Sequence, residues 1–248
     1  MSHPVPKDKM KEMETDRPDV TESAYTVEAG HFQVESDLFK QVRTRNNDLI
    51  HIQNICNLAN FKIGLTEKMD LQLVFPIYVS NSIREISTRK IISKSGGFDD
   101  ITIRMKYNIW GNNGGRTALS ILPFLSFPTS SFSRNGIQGG IIFPFALKIR
   151  EGLDFGSQAG INIVRQDDNK YTPELLYTAT FGKSLFTKID GFAEAFTTYS
   201  SYTNIADIYV DGGIIYSISK NLNIDAGVNI GLNKGSDKIY FLGFSFRY

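Results

Sequence analysis

The sequence is poor in the residues from which catalytic and metal sites are usually built. Its 248 residues include one cysteine and three histidines. A lone cysteine excludes an intrachain disulfide, and three scattered histidines are too few ligands for a zinc site. No run of about 18 apolar residues occurs, which excludes a transmembrane helix. The net charge of +1 gives no reason to expect nucleic acid as a partner.

Alternating apolar and polar residues dominate the chain from residue 31 to its end. In the last segment, Tyr240, Leu242 and Phe244 share one face, and Arg247 lies on the other. This period of two is typical of β-strands with one apolar side, and no segment shows helical spacing over three turns. The predicted strands lie at 31–42, 49–65, 69–82, 98–110, 116–128, 136–149, 153–166, 171–185, 188–199, 205–218, 221–232 and 237–248.

The length of these segments favours a membrane barrel over a sandwich. Strands of ordinary globular proteins average five or six residues, whereas about nine to eleven are needed to cross a bilayer. The connections also alternate between short turns and equal or longer loops, the longest at 83–97, as in bacterial outer-membrane barrels. We therefore predict an all-β fold, a closed antiparallel transmembrane β-barrel of about 12 strands over residues 31–248, located in the bacterial outer membrane.

Residues 1–30 differ from the rest of the chain. They contain Pro4, Pro6 and Pro18, many charges and little apolar pattern, so we predict an extended N-terminal arm. No signal peptide is recognisable at the start, which is polar and rich in lysine. We expect a mature barrel protein in which a start codon replaces a removed signal.

Several segments resemble one family, the outer-membrane transporters of the "MetA-pathway of phenol degradation" type. They include TDRPDVTESAYTVEAGHFQVESDLF from Thr15, GFDDITIRMKYNIWGNNGGRTALSILPFLSFPT from Gly97, LANFKIGLTEKMDLQLVFPIY from Leu58 and GGIIFPFA near Gly139. The resemblance implies an outer-membrane barrel of twelve strands that transports small molecules. The terminal YFLGFSFRY also resembles the signal that the barrel-assembly machinery reads.

The polar faces of three predicted strands supply candidate lumen residues that would set selectivity. These are Arg104, Lys106, Asn108, Asn223, Asp225, Asn229 and Arg247. They could line an open pore or form a sealed core of paired charges. The arm offers a candidate plug, with charged residues on both sides of Pro18: Asp16, Arg17, Asp19 and Glu22. We expect the plug to pair with Arg104, Lys106 or Arg247; the alternative is a periplasmic tail that only starts the first strand.

The function that we predict is a passive outer-membrane channel for small, apolar or aromatic molecules. Its partners would be outer-membrane lipid, the assembly machinery and a solute whose identity the sequence does not give. We expect no catalytic residue, no cofactor, no metal site and no nucleic acid. One alternative is an outer-membrane enzyme acting on lipid through His51. Another is a closed structural or interaction barrel whose outer loop, from Ser82 to Gly97, binds a partner.

Overall fold

The computed structural model describes residues 4–129 and 136–248, and antiparallel strands make up most of them. A short 3-10 helix, Lys7–Lys9, precedes the strands. Within the two described ranges, no helix has the length and apolar character needed to cross a membrane. The strands are β1 (Phe32–Asn46), β2 (Leu49–Thr66), β3 (Met69–Glu85), β4 (Ile91–Gly97), β5 (Ile101–Trp110), β6 (Thr117–Phe127), β7 (Gln138–Arg150), β8 (Leu153–Arg165), β9 (Tyr171–Phe186), β10 (Ile189–Ser200), β11 (Ile205–Ser219), β12 (Leu222–Gly231) and β13 (Lys238–Arg247).

The sheet closes on itself between its first and last strands. Gln33 of β1 lies opposite Lys62 of β2 on one side and opposite Arg247 of β13 on the other. Both β4 and β5 pair with β3, so the 13 strands fill twelve positions around the barrel. Closure leaves no sheet edge whose backbone groups would lie unpaired in lipid. The predicted twelve-stranded antiparallel barrel is confirmed.

The extra strand β4 corrects one prediction, because the sequence places a loop at 83–97. Residues Ile91–Gly97 instead pair with Val79–Arg84, in the C-terminal half of β3. The N-terminal part of β3 pairs with β5. Arg89 adopts a φ of 59°, which allows the chain to reverse between β3 and β4. The segment IISKSGG lacks the apolar alternation of a lipid-facing strand, and this is why periodicity did not reveal it.

The two faces of the barrel wall differ sharply in polarity. On β5, Met105 and Tyr107 are 42% and 44% exposed, whereas Lys106 and Asn108 are 1% and 0% exposed. The outside is therefore apolar and the inside polar, the reverse of a water-soluble protein. Removing apolar surface from water is favourable by about 25 cal/mol per Å². An outer face of this kind is therefore stable only in contact with lipid. A register shift follows Asn108 in the pairing of β5 with β6, and Trp110 beyond it is 46% exposed.

The connections show the expected asymmetry, although it is not strict. On the side that holds the chain termini, the turns at 67–68, 151–152, 187–188 and 220–221 are tight, but 111–116 is longer. On the opposite side, connections such as 86–90 and 232–237 are longer, but 47–48 is a tight turn. β1, β2 and β3 have 15, 18 and 17 residues, more than a bilayer requires. These strands therefore extend past the membrane on the side of the longer connections.

Candidate functional site

The N-terminal arm (residues 1–30, described from Pro4) lies inside the barrel. It contacts inward side chains from strands all around the wall, including Lys62 on β2, Lys106 on β5, Gln158 on β8, Glu194 on β10 and Asp225 on β12. Only a segment within the lumen can reach all of these strands. Ala24, Thr21 and Val27 are accordingly 0%, 5% and 6% exposed.

Asp16 is held by lysines from two strands. Its carboxylate oxygens accept hydrogen bonds from Lys106, at 2.5 Å, and from Lys62, which also binds Glu35. Burial alone would raise the pKa of Asp16, but Lys106, Lys62 and Arg104 outweigh it and hold the pKa well below its usual range. The sequence predicted the pairing partner Lys106 but did not identify Lys62.

Arg17 bridges the two strands that flank β13. Its Nη1 donates to Asp37 of β1 at 2.6 Å, while Nη2 and Nε donate to the two carboxylate oxygens of Asp225 on β12 at 2.6 and 3.2 Å. Although burial disfavours the charge, the two carboxylates raise the pKa of Arg17 above its usual range. A forked, charge-assisted contact of this kind fixes orientation as well as position.

Two further ion pairs extend along the arm. Glu22 pairs with Arg104 of β5, which also lies 3.9 Å from Asp16. Glu28 is absent from the predicted plug residues. Its two carboxylate oxygens accept hydrogen bonds from Arg247 Nη1, at 3.1 and 3.0 Å, and one of them also accepts from the Lys11 amide, at 3.0 Å. The expected cationic partners Arg104, Lys106 and Arg247 thus all contact acidic residues of the arm.

Polar lumen side chains bind the backbone of the arm, and most of them were missed from the sequence. Asn108, a predicted lumen residue, donates to the Ala24 carbonyl at 2.8 Å. Gln158 accepts from the Glu22 amide and donates to the Val20 carbonyl, both at 2.8 Å. Asp70 and Asn112 accept from arm amides in the same way, from Val27 and Thr26 respectively. Alternation on inward faces was the only available signal for the strand residues, and it does not show which of them meet the arm; Asn112 lies in the connection between β5 and β6.

The remaining expected residues lie near the arm but in different surroundings. Asn223 lines a vestibule of about 560 Å³ between the arm and strands β7 to β12. Asn229 is 6% exposed, on the inner face of β12. Asp19 also borders the vestibule and faces carboxylates instead of the cations expected for it. Burial, followed by the charge of Glu194, raises the pKa of Asp19 to about 8.

Beyond the arm, toward the longer connections, the lumen wall carries apolar and aromatic side chains. Phe196 of β10 and Tyr209 of β11 are paired across the two strands and stack with ring centroids 4.7 Å apart. Both lie two positions from Glu194 and Asp211 and therefore share their inward face. Leu122 and Ile142, at 0% and 9% exposed, lie on the inner faces of β6 and β7. An aromatic ring entering from this side would meet apolar and aromatic surfaces.

The two histidines of the described ranges, His31 and His51, lie toward opposite ends of the barrel wall. His51 is exposed on β2. His31 is buried at the end of the barrel that holds the chain termini. Its ring nitrogens lie 2.7 Å from the Val5 carbonyl and 3.2 Å from the Tyr248 carbonyl. In the described part of the chain, no group of three or more His, Cys, Asp or Glu side chains could hold a metal ion.

Solved structures with a similar fold are outer-membrane barrels. An outer membrane channel from Pseudomonas putida F1 superposes with a TM-score of 0.69 at 10% identity, covering 91% of this chain and 98% of that one. The NanC porin gives 0.56 at 9% identity, covering 86% and 98%. The CymD monoaromatic hydrocarbon channel gives 0.51 at 9% identity, covering 88% of each chain. At these identities the likeness concerns the fold.

Sequence comparison identifies the family. No curated protein sequence matches the chain. A family model described as "Putative MetA-pathway of phenol degradation" matches residues 15–248. The match begins at Thr15, where the resemblance in the sequence also begins, and it includes the arm from that residue as well as the entire barrel. The chain therefore belongs to this family.

Proposed function

We propose that the chain is an outer-membrane channel for small apolar or aromatic molecules, and that its N-terminal arm restricts the pore. The observation that carries the proposal is the position of the arm, which is bound by side chains from opposite sides of the lumen. A segment held in this way narrows any path through the barrel. A vestibule of about 560 Å³ lies beside the arm.

The apolar wall beyond the arm supports the choice of solute. Phe196 and Tyr209 offer flat faces, and aromatic pairs are favourable at centroid separations of about 4.5–7 Å. The CymD structure is that of a monoaromatic hydrocarbon channel, and the family description refers to phenol degradation. Movement would follow the concentration gradient and require neither a cofactor nor a catalytic step.

The proposal extends to location and assembly. An apolar outer face on a closed barrel suits the bacterial outer membrane, with lipid against residues such as Leu242 and Phe246. The alternating end of β13, with Tyr248 after it, would serve as the segment read by the barrel-assembly machinery.

Deleting residues 1–24 tests the role of the arm. We expect single-channel conductance in planar bilayers to rise several-fold, because the deletion removes the Asp16, Arg17 and Glu22 contacts while leaving β1 intact. Deleting residues 1–9, which precede these contacts, is the matched control and should change conductance little. Unchanged conductance after the longer deletion would rule out the plug.

A further inference from the structure

A row of lumen side chains on β10, β11 and β12 contacts or borders the arm at residues 19–21. Glu194 lies directly opposite Asp211 across two strands, and Asp211 lies opposite Asn229. Such cross-strand neighbours have Cβ atoms roughly 4.5–5.5 Å apart. The row therefore brings two carboxyl groups and an amide together inside the barrel.

Glu194 holds the backbone of the arm. Its carboxylate accepts hydrogen bonds from the amides of Val20, at 2.7 Å, and Thr21, at 2.9 Å, and from the Thr21 hydroxyl. The same hydroxyl lies 2.5 Å from Thr178 of β9. Three hydrogen bonds from the arm therefore end on the Glu194 carboxylate.

Asp211 has no such partners. It is 9% exposed, and neither of its carboxylate oxygens has a hydrogen-bond partner within the described ranges. The side-chain oxygen of Asn229 beside it is buried and unpartnered as well. A buried carboxylate without a donor strongly favours its protonated form, since the proton removes the charge and supplies a donor.

The nearby cations are already paired with other carboxylates. Arg17 binds Asp37 and Asp225, and Arg104 pairs with Glu22. Lys62 and Lys106 bind Asp16. The groups that face the cluster are Thr178 and Thr180 from β9, Glu194 from β10, Asp211 from β11, Asn229 from β12, and Asp19, Thr21 and Glu22 from the arm.

We propose that Asp19 and Asp211 form a proton-operated latch beside Glu194, in which bound protons allow the arm to dock and their loss at alkaline pH releases residues 18–21 from β10 and β11. The inference rests on the proposed role of the arm as a restriction. Asp19 borders the vestibule, so protons can enter and leave from that side. The Arg17 and Asp16 contacts lie outside the cluster, so release is local and widens the vestibule without expelling the arm.

The direction of the pH effect follows from linkage. Asp19 has a pKa of about 8 when docked, against an ordinary aspartate value of 3.8. The docked state thus binds more protons than the released state between these values. The arm is therefore bound most strongly at low pH. Its binding weakens as the pH rises, until the docked Asp19 has lost its proton above a pH of about 8. One such proton changes the ratio of released to docked arm by at most about tenfold per pH unit.

The test is single-channel recording of the full chain between pH 5 and pH 9. We expect the time in the higher-conductance state to increase at least tenfold over this range. Asp211→Asn removes one of the two acids and supplies an amide donor while Asp19 still titrates, so its increase should be at least threefold smaller than that of the unaltered protein. Asp207→Asn makes the same change on the same face of β11, outside the cluster, and should titrate like the unaltered protein.

Amide hydrogen exchange supplies a readout independent of conductance. At pH 8.5, the amides of residues 19–23 should exchange more slowly in Asp211→Asn than in the unaltered chain, and comparison at one pH cancels the intrinsic rate. Equal exchange, or an Asp211→Asn variant that titrates normally, would overturn the latch. If deletion of residues 1–24 raises conductance while the full chain shows no pH dependence, the latch alone fails. If the deletion has no effect, the restriction itself is wrong.

Discussion

The guanidinium of Arg17 lies against Gly243 of the last strand, with no room for a side chain between them. A methyl group built at Gly243 would lie 2.0 Å from Arg17 Nη2. The missing side chain allows the guanidinium to pass β13 and reach strands on both of its sides, at Asp37 and Asp225. The position of the arm in the lumen therefore depends on a glycine that is more than 200 residues away in the sequence.

Gly243→Ala should displace Arg17 and weaken arm docking. The steric conflict is worth about 1–3 kcal/mol, the usual cost of overpacking a closely filled site. Open-state occupancy in planar bilayers should rise, while the barrel remains folded as judged by heat-modifiable gel mobility. Gly182→Ala is the control, because a methyl group there meets no atom within 4 Å. Equal behaviour of the two variants would contradict the close contact.

Arg17→Ala should be more damaging than Gly243→Ala. It leaves Asp37 and Asp225 buried without their cation, and breaking a buried pair costs about 3–5 kcal/mol. We expect reduced thermal stability and a larger open fraction. Adding Asp225→Asn should restore part of the stability, because it removes one uncompensated charge. No recovery in the double variant would show that the bridge to Asp225 contributes little.

Asp16→Asn should open the channel without creating pH dependence between pH 5 and 9. The pKa of Asp16 is lowered, so this carboxylate contributes fully to docking at any pH above the ordinary pKa of an aspartate. The contribution is lost only when the pH falls through the lowered pKa, below the range of the experiment. Conductance of this variant, measured across that range, should be raised by a constant factor. A factor that changes with pH would show that the Lys62 and Lys106 contacts titrate with the cluster around Asp211.

Phe196→Ala should slow the uptake of monoaromatic compounds more than that of small polar solutes, because it removes half of the stacked pair on the inner wall. We expect a several-fold decrease in liposome uptake of a compound such as toluene. Phe181→Ala is matched in chemistry, but Phe181 is 50% exposed on the outer face of β9. Equal loss in both variants would point to general destabilisation.

Leu242→Arg should impair insertion of the barrel. Leu242 is 43% exposed near the middle of β13, on the face assigned to lipid. Arginine at such a depth costs about 2–4 kcal/mol, measurable by folding into vesicles across a urea titration. Leu242→Ala, which loses only apolar contact, should cost less. A stable, monomeric chain in buffer without detergent would contradict the assignment of this face.

Alternation along the strands made much of the lumen predictable. Because successive side chains of a strand point to opposite faces, the pattern around Met105 and Tyr107 placed Arg104, Lys106 and Asn108 on the inner side. Glu194 shares a face with Phe192 and Phe196, so alternation alone does not show whether that face of β10 is polar or apolar. In the structure all three positions face the lumen, with Phe192 beside the vestibule and Phe196 beyond the arm.

The sequence alone determined the barrel, because a period of two over strands long enough to cross a bilayer leaves one apolar face that only lipid can cover. The tertiary structure alone decided where the arm lies. Its residues have no periodic pattern, and their partners come from distant strands: Arg17 and Asp225 are 208 positions apart. Closure of the barrel brings those strands around one lumen, and the resulting arrangement of charges determines which residues pair and leaves Asp19 among carboxylates.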